Sequence, residues 1–178
     1  MSTDIRALEA SLLAPVQAFL EELTAPDLTF VKEDVSDPRV VQGWIDGSVR
    51  GQRWVAMQQG AVIGLVTLLR QVQWSSHVAD IRLVVSPRAR GHGVGTALAR
   101  HAVRAALGQD LRKIVVEIVA VDEASVAMFE RLGFQPEALL VDHIRDRDGE
   151  LRDLLMLAFH AADARSLAET LGLEEALG

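Results

Sequence analysis

The chemistry-bearing stretch of this chain is Val85-Ser86-Pro87-Arg88-Ala89-Arg90-Gly91-His92-Gly93-Val94-Gly95-Thr96, with glycines at alternate positions between an apolar run and a run rich in Ala and Leu. A strand that leads through glycines into a helix is the setting of an anion site. The first amide N–H groups of a helix have no intrahelical partner, the helix dipole favours negative charge, and glycines let a phosphate approach the backbone. Arg88 and Arg90 add fixed positive charge, and the dipole alone contributes about 0.3–1 kcal/mol. The same glycines also suit a tight turn for close helix packing, and spacing alone leaves both readings open. Two phosphate motifs fail on the letters. No Lys-Ser or Lys-Thr pair follows the glycines, which excludes a Walker-type loop. A dinucleotide fingerprint needs a glycine where Thr96 stands and its first glycine directly after the strand, whereas Ser86 to Arg90 intervene here.

Glu117 is the second candidate, the one ionisable residue of the otherwise apolar run Ile114–Val121. Desolvation of a carboxylate in such a strand favours its protonated form, which is how a carboxyl group becomes a base near neutral pH. The competing role is a surface-facing residue or the partner of an arginine. His77, His92, His101, His143 and His160 are scattered without ligand spacing, so no metal is expected, and His92 reads as a solvated loop residue. The chain has no cysteine, which excludes thiolate nucleophiles, disulfides and Cys-rich zinc sites, and no tyrosine, so it has no phenol to act as an acid.

The elements that must position these residues can be read from the rest of the chain. It has 178 residues, 49% of them hydrophobic, enough for one domain with a core that needs no metal or disulfide. A net charge of -7, with Lys32 and Lys113 as the lysines, argues against a nucleic-acid binder. Met1 to Asp4 do not start a signal peptide, and the uncharged run between Arg53 and Arg70 is broken by Gln58 to Gly60 and falls short of the roughly 18 apolar residues of a membrane span. A soluble cytoplasmic protein is expected. Ile5–Leu8 reads as a short strand and Ala14–Leu23 as a helix ended by Pro26 and Asp27. Asp37 and Pro38 signal the cap and first turn of a second helix, with Gly47 past its end and Val41, Trp44 and Ile45 on one face. Trp44, Trp54 and Trp74 read as packing residues. Trp54–Met57 and Ala61–Leu69 form strands around a turn at Gln58–Gly60, with a bulge suggested at Gly64. Val78–Val85 is a third strand with Asp80 and Arg82 on one face. Val94–Leu107 is the clearest helix, with Gly108 expected in the left-handed position after it. The strand at Ile114–Val121 is apolar enough for burial on both faces. Ala124–Leu132 then forms a helix closed by Gly133, and Ala138–Ile144 pairs with Leu151–Phe159 around Asp148 and Gly149. Ala164, Leu167, Ala168 and Leu171 put helical spacing in the tail. This order suggests an α/β or α+β three-layer domain.

Arg90-Gly91-His92-Gly93-Val94-Gly95 resembles the R/Q-x-x-G-x-G/A signature of the GNAT superfamily of acetyl-CoA-dependent N-acetyltransferases, and the preceding strand ends in that family's Val-x-Pro. A second segment, Asp122-Glu123-Ala124-Ser125-Val126-Ala127-Met128-Phe129-Glu130-Arg131-Leu132-Gly133-Phe134, resembles the family's N-x-x-A-x-x-x-Y-x-x-x-G-F. The resemblance covers Val78 to Phe134 in detail and Ile5 to Phe159 in outline. It implies an N-acetyltransferase domain over 1–160, with 161–178 as a C-terminal helical extension that could dock on its own domain or on a second copy as a homodimer. The implied fold is a mixed central sheet of about six to seven strands flanked by helices and splayed between strands four and five. Leu83, Val84 and Val85 would bind the pantetheine and thioester of acetyl-CoA, and Arg90, Gly91, His92, Gly93, Val94, Gly95 and Thr96 its pyrophosphate. Asp122 stands where the family has an Asn in contact with the cofactor, and an ionised Asp accepts but cannot donate.

The implied reaction is direct attack of a primary amine, on a small molecule or a peptide or protein terminus, on the thioester without a covalent intermediate. It requires a neutral amine and often a proton for the departing thiolate. A glutamate at the distance of Glu117 before the Asn position is the proposed base of family members that acetylate ribosomal-protein termini. Asp80, on the strand implied to line the cofactor, is the second candidate base. Phe129 stands at the family's acid tyrosine, where a phenyl ring cannot give a proton and suits core packing, so the acid would be water, Ser125 or a histidine. Phe129 and Asp122 together motivate the alternative of a catalytically weak or inactive acyl-CoA-binding sensor domain. The charged segment from Asp142 through Asp146 and Arg147 to Glu150 marks a hairpin that, by the resemblance, borders the acceptor site.

Overall fold

The structure, a computed structural model, describes residues 3–29, 31–146 and 148–163. Seven strands are β1 (Asp4–Ala7), β2 (Gln52–Gln58), β3 (Ala61–Arg70), β4 (Val78–Val85), β5 (Lys113–Val119), β6 (Gln135–Arg145) and β7 (Leu151–His160). The helices are α1 (Leu13–Glu21), α2 (Ala25–Thr29), α3 (Pro38–Asp46), α4 (Val94–Leu107) and α5 (Glu123–Arg131). The strands form one mixed sheet in the order β1-β2-β3-β4-β5-β7-β6. Its β1–β2–β3 and β5–β7–β6 ladders are antiparallel, while β4 and β5 pair in parallel. That parallel register covers Val78–Ile81 against Lys113–Val116, and both strands run on beyond it, β4 to Val85 and β5 to Val119.

The chain divides into two compact units, Met1–Leu69 with Arg82–Leu98, and Arg70–Ile81 with Ala99–Gly178. In the first, Val16, Phe19 and Leu20 of α1 and Val41 and Trp44 of α3 pack with Val55, Val62, Leu65 and Val84 of the strands. The helical spacing of these residues puts them on one face of each helix, and their burial is what stabilises helices this short. Asp37 caps α3 by accepting the Arg39 N–H at 2.9 Å, and Gly47 ends it at φ 78°. The segment expected to end α1 at Pro26 and Asp27 instead begins α2, since a proline without an N–H fits a first helical turn.

The irregularity foreseen at Gly64 falls beside it. Pairing steps from Ala56↔Gly64 to Met57↔Val62, so Ile63 is extra, and its carbonyl accepts the Ser86 N–H at 2.9 Å. Gly64 itself is a close approach: a Cβ there would lie 2.8 Å from Leu98 Cδ1 and 3.3 Å from both Val84 O and Val94 Cγ1.

In the second unit, β5 is buried along most of its length between its two neighbours, as its apolar run required. Phe134 stacks edge-on against Phe129 at 5.1 Å and tilted against Phe159 at 5.5 Å. Gly108 differs from expectation: its N–H still bonds Arg104 O at 2.9 Å, and the left-handed residue is Asp110 at φ 56°. The helical turn therefore persists past α4 before the chain reverses. β6 is longer than the sequence pattern indicated and its ladder to β7 is irregular. Between Leu140↔Leu154 and Ile144↔Arg152 it carries two residues more than its partner, with Asp142 at φ 51° and its N–H on Asp153 Oδ1 at 2.9 Å. Ala161–Asp163 form a 3-10 turn, and the rest of the anticipated C-terminal helix lies outside the described residues, as does Arg147. No helix among the described residues is long and apolar enough to cross a membrane.

Because the neighbours of Gly64 include a backbone carbonyl, Gly64→Ala is expected to destabilise the protein by about 1–3 kcal/mol. A lower denaturant midpoint at unchanged slope checks this; an unchanged midpoint contradicts it.

Candidate active site

In the first unit, β4 delivers the chain into the glycine loop, and each step of that loop has a local cause. Ser86 is pinned to Ile63 through its N–H, and Pro87–Ala89 make one 3-10 turn. Gly91 and Gly93 take φ 75° and 80°, which side chains rarely adopt, and nothing lies within 4 Å of where a Cβ would be at either. The backbone there is open as well as left-handed. Val94 is buried and starts α4, and Ala97 N–H closes the first turn on Gly93 O at 3.0 Å. The N–H groups ahead of it are those a helix leaves without an internal acceptor. The arrangement can bind an anion through main-chain donors, with Gly91, His92 and Gly93 exposed and Gly95 and Thr96 half-buried beside them.

The arginines behave differently from simple anion ligands. Arg90 donates from Nε and Nη2 to Val85 O at 3.2 and 3.1 Å, and Nη2 also donates to Oδ1 of the buried Asp27. Arg88 pairs with Glu22 at 3.2 Å, and Ser86 Oγ meets the same carboxylate at 3.4 Å. Arg90 therefore ties the middle of its loop to the end of β4 and to α2, and part of the positive charge read from the sequence is already matched. Burial of Asp27 works against its charge, but hydrogen bonds from the Thr24 hydroxyl and N–H and from Arg90 outweigh it and hold the carboxyl below its ordinary value. This clamp was not legible in the sequence, since nothing pairs Asp27 with a residue so far along the chain.

Leu83 and Val85 are half-buried and Val84 buried. Leu83 and Val84 line a shallow recess together with Glu33, Trp44, Thr67 and Arg82. The sequence reading treated Trp44 as packing alone and did not single out Glu33, Arg53 or Thr67. Glu33 sits 3.1 Å from Arg82 Nη1 and 3.5 Å from Arg53 Nη2. Burial pushes the Arg53 guanidinium below its ordinary value, Glu33 opposes this, and Arg82 adds to it.

The remaining candidates lie in the second unit. Glu117 is half-buried in β5 opposite Met156. Asp80, in register with Val115, is half-buried on the same sheet face, two positions earlier, and accepts Gln71 Nε2 at 2.7 Å. Asp122 caps α5 by accepting the Ser125 N–H at 3.1 Å, which a carboxylate does as well as an amide. Ser125 is half-buried in the first turn of that helix. Phe129 is 2% exposed and spends its ring on Phe134. Among the described residues no cluster of three His, Cys, Asp or Glu could hold a metal.

Comparison with known proteins gives one consistent result. A family model described as Acetyltransferase (GNAT) family matches residues 17–134. N-acetylaspartate synthetases of Rattus norvegicus and Homo sapiens are each 33% identical over 82 residues, 46% of this chain and 27% of theirs. The match thus spans about a quarter of those relatives. Among solved structures, an N-acetyltransferase from Staphylococcus aureus Mu50 superposes with TM-score 0.76 at 19% identity, over 90% of this chain and 99% of its own. A ribosomal-protein-alanine N-acetyltransferase from Brucella melitensis gives 0.75 at 22% identity, over 88% and 99%. At these identities the superpositions speak for the fold.

The depressed carboxyl of Asp27 fixes a sign. Its stabilisation is present above the unfolded value near pH 4 and is lost as pH falls through the lower folded value. Asp27→Asn is expected to lower stability at pH 7 by about 1–3 kcal/mol and to show a shallower acid loss than the parent protein below about pH 4. Denaturant titrations from pH 7 to pH 2 check both; parallel pH curves for the two proteins contradict the assignment.

Proposed function

This chain belongs to the acetyltransferase (GNAT) family, and from that premise we propose that it transfers an acetyl group from acetyl-CoA to a primary amine. The observation that carries the reading is the Arg90–Thr96 loop, whose two open left-handed glycines lead into the first N–H groups of α4. Those donors fit a diphosphate: main-chain N–H groups at a helix start, with open space where Gly91 and Gly93 lack side chains. Leu83, Val84 and Val85 would bind the pantetheine and thioester arm, and Arg90 to Thr96 the diphosphate, with Arg90 acting by holding the loop through Asp27 and Val85. Asp122 and Phe129 complete the proposed cofactor-side set, Asp122 by capping α5 and Phe129 by packing beneath it. The likeness to proteins named N-acetylaspartate synthetase and ribosomal-protein-alanine N-acetyltransferase supports nitrogen as the acceptor atom.

When bound, acetyl-CoA supplies an acyl group activated as a thioester. The amine nitrogen forms the new C–N bond directly while the C–S bond breaks, so no covalent enzyme intermediate is needed. Glu117 is the proposed base that removes the ammonium or amine proton, with Asp80 on the same face as the second candidate. Since Phe129 has no hydroxyl and is buried, the proton for the leaving thiolate comes from water, from the Ser125 hydroxyl or from a histidine.

Acetyl-CoA at about 100 times its dissociation constant is expected to add roughly 2.7 kcal/mol of stability, read as a raised melting temperature, whereas NAD and ATP give none. With an amine panel and a thiol-release assay, Glu117→Gln is expected to lower kcat by about 100- to 10,000-fold with the KM for acetyl-CoA little changed. An unchanged kcat removes Glu117 from the mechanism. A shift with acetyl-CoA but no turnover by the parent protein favours the sensor alternative.

A further inference from the structure

The turn that leads into β4 carries a large apolar side chain in solvent. The sequence reads Trp74 as a packing residue, yet it is 93% exposed, and Val72, two residues before it, is 52% exposed. The 3-10 turn Gln73–Ser75 that presents the ring starts on Gln73 at φ 53°, a left-handed value that few residues with a side chain adopt. The Ser75 and Ser76 N–H groups close this turn on Val72 O and Gln73 O at 3.2 and 2.9 Å. The exposure therefore belongs to a hydrogen-bonded turn and is held against a backbone cost. Tryptophan has more apolar area to hide than other side chains, and an exposed one beside a second apolar residue marks a contact surface.

The end of β7 arrives at the same corner. Ala161 N–H donates to Arg112 O at 3.0 Å, and the N–H groups of Arg112 and Lys113 donate to His77 O at 2.8 and 3.2 Å. Two hydrogen-bonded steps thus join the last described residues to the turn of Trp74, and all of them lie in one unit. Residues 164–178 follow, ample chain to cross that distance. They place Ala164, Leu167, Ala168 and Leu171 at the spacing of one helix face, a stripe that the proposed active site does not use. Charge agrees with a return to this corner. Residues 164–178 set Arg165 against Glu169, Glu174 and Glu175, whereas Arg70 and Arg112 flank the turn, Arg70 Nε on Ser76 O at 2.7 Å and Arg112 3.4 Å from an exposed Asp110.

We infer that the segment 164–171 docks on its own chain, with its apolar stripe over Trp74 and Val72. A helix this short is stable only when its apolar face is covered, and the indole offers the area that does so. The segment is then a strap across the turn where β4 starts.

The test uses the full chain. Because it has no cysteine, Thr170→Cys takes a nitroxide label at one position, and the Trp74 indole N–H signal is assigned in a ¹H–¹⁵N spectrum through Trp74→Phe. That signal is expected to lose most of its intensity with the nitroxide oxidised and to regain it when the nitroxide is reduced. Adding Leu167→Asp and Leu171→Asp, both confined to the tail, is expected to restore the signal with the label still oxidised. A mixture of nitroxide-bearing chains without ¹⁵N and nitroxide-free ¹⁵N chains is expected to show the signal intact. Full intensity in the first spectrum overturns the inference. Broadening that survives the two aspartates overturns docking through the apolar stripe, and broadening in the mixture gives the ring to the tail of a second copy and overturns docking within the chain.

Discussion

The first unit depends on a missing side chain. Gly64 leaves so little room that Leu98 and Val94 of α4 and the carbonyl of Val84 all stand against the backbone of β3. A helix that starts this close to a strand must be reached by a sharp reversal of the chain, and the reversal is the loop from Ser86 to Gly93. The extra residue at Ile63 gives Ser86 its backbone acceptor, and Arg90 ties the far side of the loop to Val85 and Asp27. Close packing and the proposed anion site, alternatives when only spacing is known, are compatible in this one backbone. Close packing places the helix start, and the left-handed glycines leave its N–H groups open.

The arginines divide by role. Arg88 and Arg90 look alike in the sequence, yet both are held by carboxylates of the N-terminal helical region, so the proposed anion binding at the loop would fall to neutral main-chain dipoles. Arg53 of β2 and Arg82 of β4, strands separated in the sheet by β3, share one glutamate between them. Charges buried to this degree are seldom worth much as stabilisers, since desolvation offsets attraction.

Much of the architecture was legible from local signals. Asp37-Pro38 and Gly47 mark α3, Gly133 ends α5, and the nearly unbroken apolar run from Ile114 marks a strand covered on both faces. What failed was local too: Pro26 opens a helix where it was read as closing one, and Gly108 remains helical because Asp110 takes the left-handed turn. The glycine loop and the Asp122 segment were readable because fixed spacing along the chain carries them. The Asp27–Arg90 clamp and the Glu33 cluster were not, because their partners are brought together only by folding and neither has a spacing to recognise. Phe129 shows the limit from the other side. It stands where a motif of the resembled family has its acid tyrosine, and its ring packs against Phe134.

The outermost strand, β6, carries Leu139 and Val141 largely exposed, a pattern that in a straight strand would invite pairing with another chain. Its two surplus residues, with Asp142 turned left-handed and its N–H drawn to the Asp153 carboxylate, break the regular row of donors and acceptors along that border. A foreign strand could match only short stretches on either side of the interruption. The same irregularity that spoils the hairpin's register thus guards the sheet against growth by addition of further strands, as bulges on exposed borders do.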